Sequence, residues 1–202
     1  MDDFWAVAEH IEVLDSEIDD SWVPYELIDK LYAETPEQRA ANAEYLLREA
    51  FAEMTDISEE RISLIRRITT MTVKDRIKLG MKGDKEARQI LIRDSNKVVS
   101  TAVINNPRIT DQEVEKIAAM STANDEVLRI ISLNRAWTRL YSVIHNLARN
   151  PRTPIGIAMD ILVRLHDKEL QGISQNRNVS ETVRRQANRL YQQRTMMKRG
   201  NK

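Results

Sequence analysis

Cysteine is missing from the chain, which excludes disulfides, thiolate nucleophiles and cysteine-type zinc sites and fits a reducing compartment. Glycine and proline are scarce, at five each, and leave little material for the turns of a β-protein. No apolar run approaches the roughly 18 residues that a membrane span needs. The opening stretch MDDFWAVAEH is acidic where a secretory signal is basic, so the sequence predicts a cytoplasmic protein with no membrane contact. Reaction motifs are missing as well. There is no HExxH helix, nucleophile elbow or dinucleotide fingerprint, and GMKGDK from Gly80 lacks the lysine-serine ending of a phosphate loop. His10, His145 and His166 stand too far apart for metal-ligand spacing. These absences predict a protein that is not an enzyme, with no catalytic residues, no cofactor and no metal.

What is present is helix-forming. Hydrophobic residues make up 42% of the 202 positions and charged residues 31%, ordinary for a soluble helical protein able to bury on the order of 70% of its unfolded surface. The net charge of zero hides a split. Met1 to Arg61 holds eighteen carboxylates against four basic residues, and Ile62 to Lys202 holds thirteen against twenty-seven. Separation on that scale steers partners or draws one half toward the other.

Start and stop signals divide the chain into short helices. Trp5, Ala8, Ile11 and Leu14 recur at helical spacing, and Ser21 with Pro24 opens a second helix carrying Tyr25, Leu27, Ile28 and Leu31. Thr35-Pro36-Glu37-Gln38 is a start box for a third, running to about Met54. Asp56 or Ser58 opens the next. Thr72 then precedes a helix closed at Gly83, and Asp84 caps another. Further starts fall at Lys97, Thr110, Asn124, Trp137, Pro154, Asp167 and Ser180, the last opening a basic helix to about Met197 with a frayed tail. Helices of two to three turns are marginal alone, so each must lean on neighbours.

From about Ile90 to Leu190 one unit is written two and a half times. ILIRDSNKVVSTAVINNPRIT aligns with IISLNRAWTRLYSVIHNLARNPRTP after roughly forty residues, and Asn134-Arg135 returns as Asn176-Arg177. Two kinds of helix alternate. NNPRIT and RNPRTP, each followed by an apolar-periodic helix, resemble the leucine-rich-variant and the HEAT or armadillo-like solenoids. The stretch from about Met71 to Arg194 also resembles a bacterial helical-repeat family without assigned activity. The segment AWTRLYSVIHNLA departs from the pattern, being longer and more aromatic. The resemblance implies an all-α, right-handed α-solenoid of short stacked helices over residues 57–202, preceded by an acidic helical arm or cap over residues 1–56.

Such solenoids serve as binding scaffolds, and the predicted function is a non-catalytic interaction scaffold for a protein partner. Arg135, Arg139, Arg149, Arg152 and Arg177, with Arg184 and Arg185 of the last helix, are the candidate partner-binding cations. Trp5 and Trp22 are candidate anchors in the arm. Asn106 and Asn150 suit the satisfaction of loose helix ends, with Pro107 and Pro151 as terminators. Trp137 and Tyr141, four apart, are expected to fill the space between repeats. Nucleic acid is the alternative partner, with the acidic arm as an internal competitor. The charge split also leaves open a homodimer formed through that arm.

Overall fold

The computed structural model describes residues 33–53 and 59–200. The two helices expected before Tyr32, the anchors Trp5 and Trp22, and the start signals at Asp56 and Ser58 lie outside the described residues. Within them the fold is all-helical, with eleven α-helices, one 3-10 turn and no strand. No described helix is long and apolar enough to cross a membrane. The chain divides after Arg108 into two compact units.

Unit 1 holds α1 (Pro36–Glu53), α2 (Glu59–Thr70), α3 (Val73–Lys82), α4 (Lys85–Leu91) and α5 (Lys97–Ile104). Helix α1 opens on a reciprocal box: Thr35 Oγ1 accepts from Gln38 N at 3.2 Å, and Thr35 N donates to Gln38 Oε1 at 2.9 Å. Thr72, Asp84 and Asn96 cap α3, α4 and α5 by accepting from backbone N–H groups of the first turn. Gly83 ends α3 in extended rather than left-handed geometry. Close approach explains the glycine, because a Cβ there would stand 2.3 Å from Leu79 O. Ile68, Leu91, Val99 and Val103 are wholly buried in this unit, and each such side chain contributes about 1.5–3 kcal/mol of burial.

A buried ion triad ties the start of the described chain into this core. The Arg76 side chain is wholly inaccessible; it holds Glu34 at 2.7 Å and faces Asp94 Oδ2 at 2.9 Å. The contact to Asp94 is an ion pair rather than an aligned hydrogen bond. Arg76 Nη1 also donates to Met71 O at 3.0 Å. Burial, opposed by Arg76, leaves the Asp94 carboxyl above its ordinary range. Burial also works against the Glu34 carboxylate, but hydrogen bonds and charge from Arg76, then Arg39, outweigh it and hold its pKa low.

Unit 2 holds α6 (Asp111–Ala119), α7 (Asp125–Leu133), a 3-10 turn (Trp137–Arg139), α8 (Tyr141–Arg149), α9 (Ile155–Leu162), α10 (Asp167–Gln175) and α11 (Glu181–Gly200). Thr110 and Glu113 form a complete capping box on α6, and Asn124 caps α7. Helix α8 packs on α6 and α9, while α11 packs on α9 and α10. Val114, Val127, Leu128, Val143, Leu147, Leu162 and Leu170 are wholly buried. Three sequence expectations shift here. The helix expected from Trp137 is a 3-10 turn followed by α8, because Leu140 adopts an extended conformation between them. Tyr141, expected in the core, is 36% exposed. The tail expected to fray stays helical to Gly200, with Lys198 Nζ on Asp167 Oδ2.

The last nine helices can be taken in threes. α3–α4–α5, α6–α7–α8 and α9–α10–α11 follow the same order, with equivalent helices starting about forty residues apart. In the first two groups the third helix packs on the first most heavily (α5 on α3, α8 on α6), and in the last group α11 leans on α9 and still more on α10.

Candidate partner-docking surface

The Asn-Pro-Arg turns are built identically in the two units. Asn106 is buried, and its Nδ2 donates to Gly80 O at 2.9 Å and Gly83 O at 3.4 Å, at the C-terminal end of α3. Asn150 is buried too, with Nδ2 donating to Ala118 O and Met120 O, both at 2.8 Å, at the end of α6. Each Oδ1 accepts from the N–H two residues on, at Arg108 (2.8 Å) and Arg152 (2.9 Å). A helix end has four carbonyls without intrahelical partners, and the amide fork answers two of them. Asn134 and Asn176 close the same short turn onto Ala136 and Asn178 at the ends of α7 and α10. The asparagines are therefore consumed by the fold. The arginines that follow them, Arg108, Arg135, Arg152 and Arg177, stay in solvent.

In unit 2 this leaves a distinctive set of cations. Arg129 pairs with Glu126, Arg185 pairs with Glu181, Arg164 donates to Thr138 O, and Arg194 donates to Leu165 O and Val163 O. Arg135, Arg139, Arg149, Arg152 and Arg177 are exposed and have no ion pair among the described residues. Arg184 is half-buried beside them in the sequence. Of the seven candidate arginines, five thus face solvent unpaired, and Arg185 is taken by Glu181. A sequence signal for this was readable and missed: Val127 to Met159 contains five arginines and not one carboxylate. Glu126, immediately before the stretch, pairs with Arg129.

Helix α8 contributes more than charge. Tyr141, His145 and Arg149 follow at intervals of four and share one stripe. Tyr141 Oη donates to Glu169 Oε2 at 3.2 Å and accepts from His166 N at 3.0 Å, and its ring lies 4.7 Å from the His166 ring. Burial, together with the neighbouring Glu169 carboxylate, raises the Tyr141 pKa against the opposing bond from His166. Burial, then the charge of Arg149, lowers the His145 pKa, partly offset by Glu169. His145 is thereby kept neutral near pH 7 in an otherwise positive stretch. On the face toward α6, Asn146 Nδ2 donates to Glu115 O at 3.1 Å, so α8 is fastened by two asparagines. Exposed Leu133 and Ile155 stand close in sequence to Arg135 and Arg152, at 66% and 49% exposure.

Among the described residues no group of three or more His, Asp or Glu side chains could hold a metal ion. Among the described residues, Leu46, Arg61, Ile90 and Arg93 line a cavity in unit 1. Compared with models of protein families, with curated proteins and with solved structures, the chain matches none.

Proposed function

We propose that the protein is a non-catalytic, cytoplasmic interaction scaffold: a right-handed α-solenoid of three-helix units that binds an acidic protein partner through the arginines of unit 2. The observation that carries this reading is the exposure of Arg135, Arg139, Arg149 and Arg152, unpaired among the described residues, in a stretch with no carboxylate. Unpaired guanidiniums on the turns after α7 and α8 (Arg135, Arg152), on the 3-10 turn (Arg139) and at the end of α8 (Arg149) are hydrogen-bond donors for carboxylates. Exposed Leu133 and Ile155, close to Arg135 and Arg152 in the sequence, add apolar area, which a protein partner uses and a bare phosphate backbone does not. Docking then combines charge steering with apolar affinity.

Nucleic acid is the second reading, favoured by the sixteen basic against nine acidic residues from Ile109 to Lys202. Tyr141 alone is an exposed aromatic in this unit, which is thin provision for base stacking. A salt series on the full chain separates the two. An acidic peptide containing leucine should bind and keep most of its affinity at moderate salt. Binding confined to duplex or single-stranded nucleic acid, falling steeply and linearly on a log–log salt plot, would replace the protein reading.

A further inference from the structure

The second helices of the first two groups, α4 and α7, are built in register. Their caps, Asp84 and Asn124, stand forty residues apart, and the turns that close them match. Asp94 Oδ1 accepts from Asn96 N, and Asn134 Oδ1 accepts from Ala136 N, both at 2.9 Å. Ala87, Arg88 and Leu91 of α4 are buried, as are Val127, Leu128 and Ile131 at the same positions of α7. The outer positions differ. In unit 1, α1 lies against them: Asn42 Oδ1 accepts from Ser95 N at 3.0 Å, and one helical turn on the buried Leu46 lines a cavity with Ile90 and Arg93. The positions forty residues further on are Ile130, Leu133 and Arg135. Ile130 is half-buried, Leu133 is 66% exposed, and the backbone N–H of Arg135 has no acceptor among the described residues. In the third group the same places hold Gly172, Gln175 and Arg177, which leaves no apolar pair.

We infer that α7 seats an amphipathic helix of the partner protein, which lies on Ile130, Leu133 and Arg135 as α1 lies on Ile90, Arg93 and Ser95. The inference rests on the acidic-partner reading and gives that partner a shape. The docked helix presents a side-chain acceptor to Arg135 N and, four residues later, a leucine to Ile130 and Leu133, the spacing of Asn42 and Leu46 on α1. Charge selects the acceptor. Ser95 follows the carboxylate of Asp94, which repels a second carboxylate, and α1 accordingly brings a neutral amide. Arg135 follows the neutral Asn134, and its guanidinium has no ion pair among the described residues. A carboxylate at that place accepts from the backbone N–H and the guanidinium together. The recognition element is therefore Asp-x-x-x-Leu on one face of a helix.

The test is fluorescence anisotropy on the full chain with two labelled, alanine-rich helical peptides of about 18 residues. One carries Asp-x-x-x-Leu pairs on a single face; the other has the same composition with aspartates and leucines on opposite faces. The first should bind about tenfold more tightly or better, and Leu133→Ser should remove most of that advantage. Arg135→Ala keeps the backbone N–H, whereas Arg135→Pro deletes it. Proline suits this place, because Pro107 and Pro151 follow Asn106 and Asn150 in turns closed by the same bond. With circular dichroism unchanged, the proline variant should bind the first peptide several-fold more weakly than the alanine variant. Equal binding of the two peptides, lost when Arg135, Arg139, Arg149 and Arg152 are all changed to serine, would overturn the inference and leave the acidic-partner reading in place. A preference for the first peptide that Leu133→Ser leaves intact would also overturn it, as would equal binding by the proline and alanine variants. Binding of neither peptide removes both the inference and the reading beneath it.

Discussion

Asn106 and Asn150 occupy the same place in successive three-helix groups: each spans, with one side-chain amide, from the end of the third helix to the open carbonyls at the end of the first. Forty-four residues further on stands Arg194, whose guanidinium donates to Val163 O and Leu165 O just after the end of α9. One position, repeated at equal spacing, thus latches all three groups.

Replacing that latch should be costly. Asn150→Ala leaves Ala118 O and Met120 O without their donor in a buried place, at a cost of about 1–3 kcal/mol. Asn150→Asp should cost more, since a carboxylate presents acceptors to acceptors. Urea denaturation followed by circular dichroism measures both, with a lower midpoint at unchanged slope as the expected pattern.

The triad in unit 1 should show the asymmetry of buried ion pairs. Arg76→Ala strands Glu34 and Asp94 together and should cost about 3–5 kcal/mol. Combining Arg76→Met with Glu34→Gln and Asp94→Asn removes every charge at once and should recover most of that loss. Equal instability of the single and the triple variant would mean that packing of the Arg76 stem, not its charge, sustains the unit.

His145 should leave a signature in the pH dependence of stability. Its folded-state pKa lies below the ordinary imidazole value, chiefly through burial. The unfolded chain therefore binds the proton more readily, and the contribution of His145 is present above the unfolded pKa, roughly 6.5, and lost as pH falls through the folded pKa. His145→Gln should flatten that decline in unfolding free energy below neutrality. If the two proteins lose stability in parallel on acidification, His145 is not the titrating group.

Removing the unpaired arginines should separate docking from folding. Arg135, Arg139, Arg149 and Arg152 are exposed, so each change to serine should alter stability by no more than about 0.5 kcal/mol. The fourfold variant should nonetheless lose acidic-peptide affinity by an order of magnitude or more, mainly through slower association at low salt. Fluorescence anisotropy with a labelled glutamate- and leucine-containing peptide reads the affinity, and stopped flow reads the rate.

Features written within a few residues of one another were legible in the sequence. Thr72, Asp84, Thr110 and Asn124 cap the helices that their spacing announces, and Asn150 before Pro151 marks the end of α8, although its side chain serves the distant end of α6. The order of three helices in each run of about forty residues was not legible, because α4 and α7 carry turn signals no different from those of their neighbours. The rest depends on partners distant in the chain. Nothing local distinguishes Arg76 from Lys74, yet Glu34, 42 residues upstream, makes Arg76 a core residue. Tyr141 has the periodicity of a core aromatic, yet its hydroxyl finds Glu169 and His166, 28 and 25 residues downstream, and this holds the ring at the surface. Among the candidate arginines, pairing was not legible either: Arg185 is held by Glu181, whereas Arg149 has no ion pair among the described residues.

Arg194 is followed by Thr195 and not by proline, and its helix runs on to Gly200. Asparagine in this role is tied to a chain that turns away at once, whereas a guanidinium at the tip of a long stem reaches the same carbonyls from the middle of a continuing helix. One helix thus runs straight through a position where each of the two asparagines sits at a turn, and the third group keeps its latch without a bend in the chain.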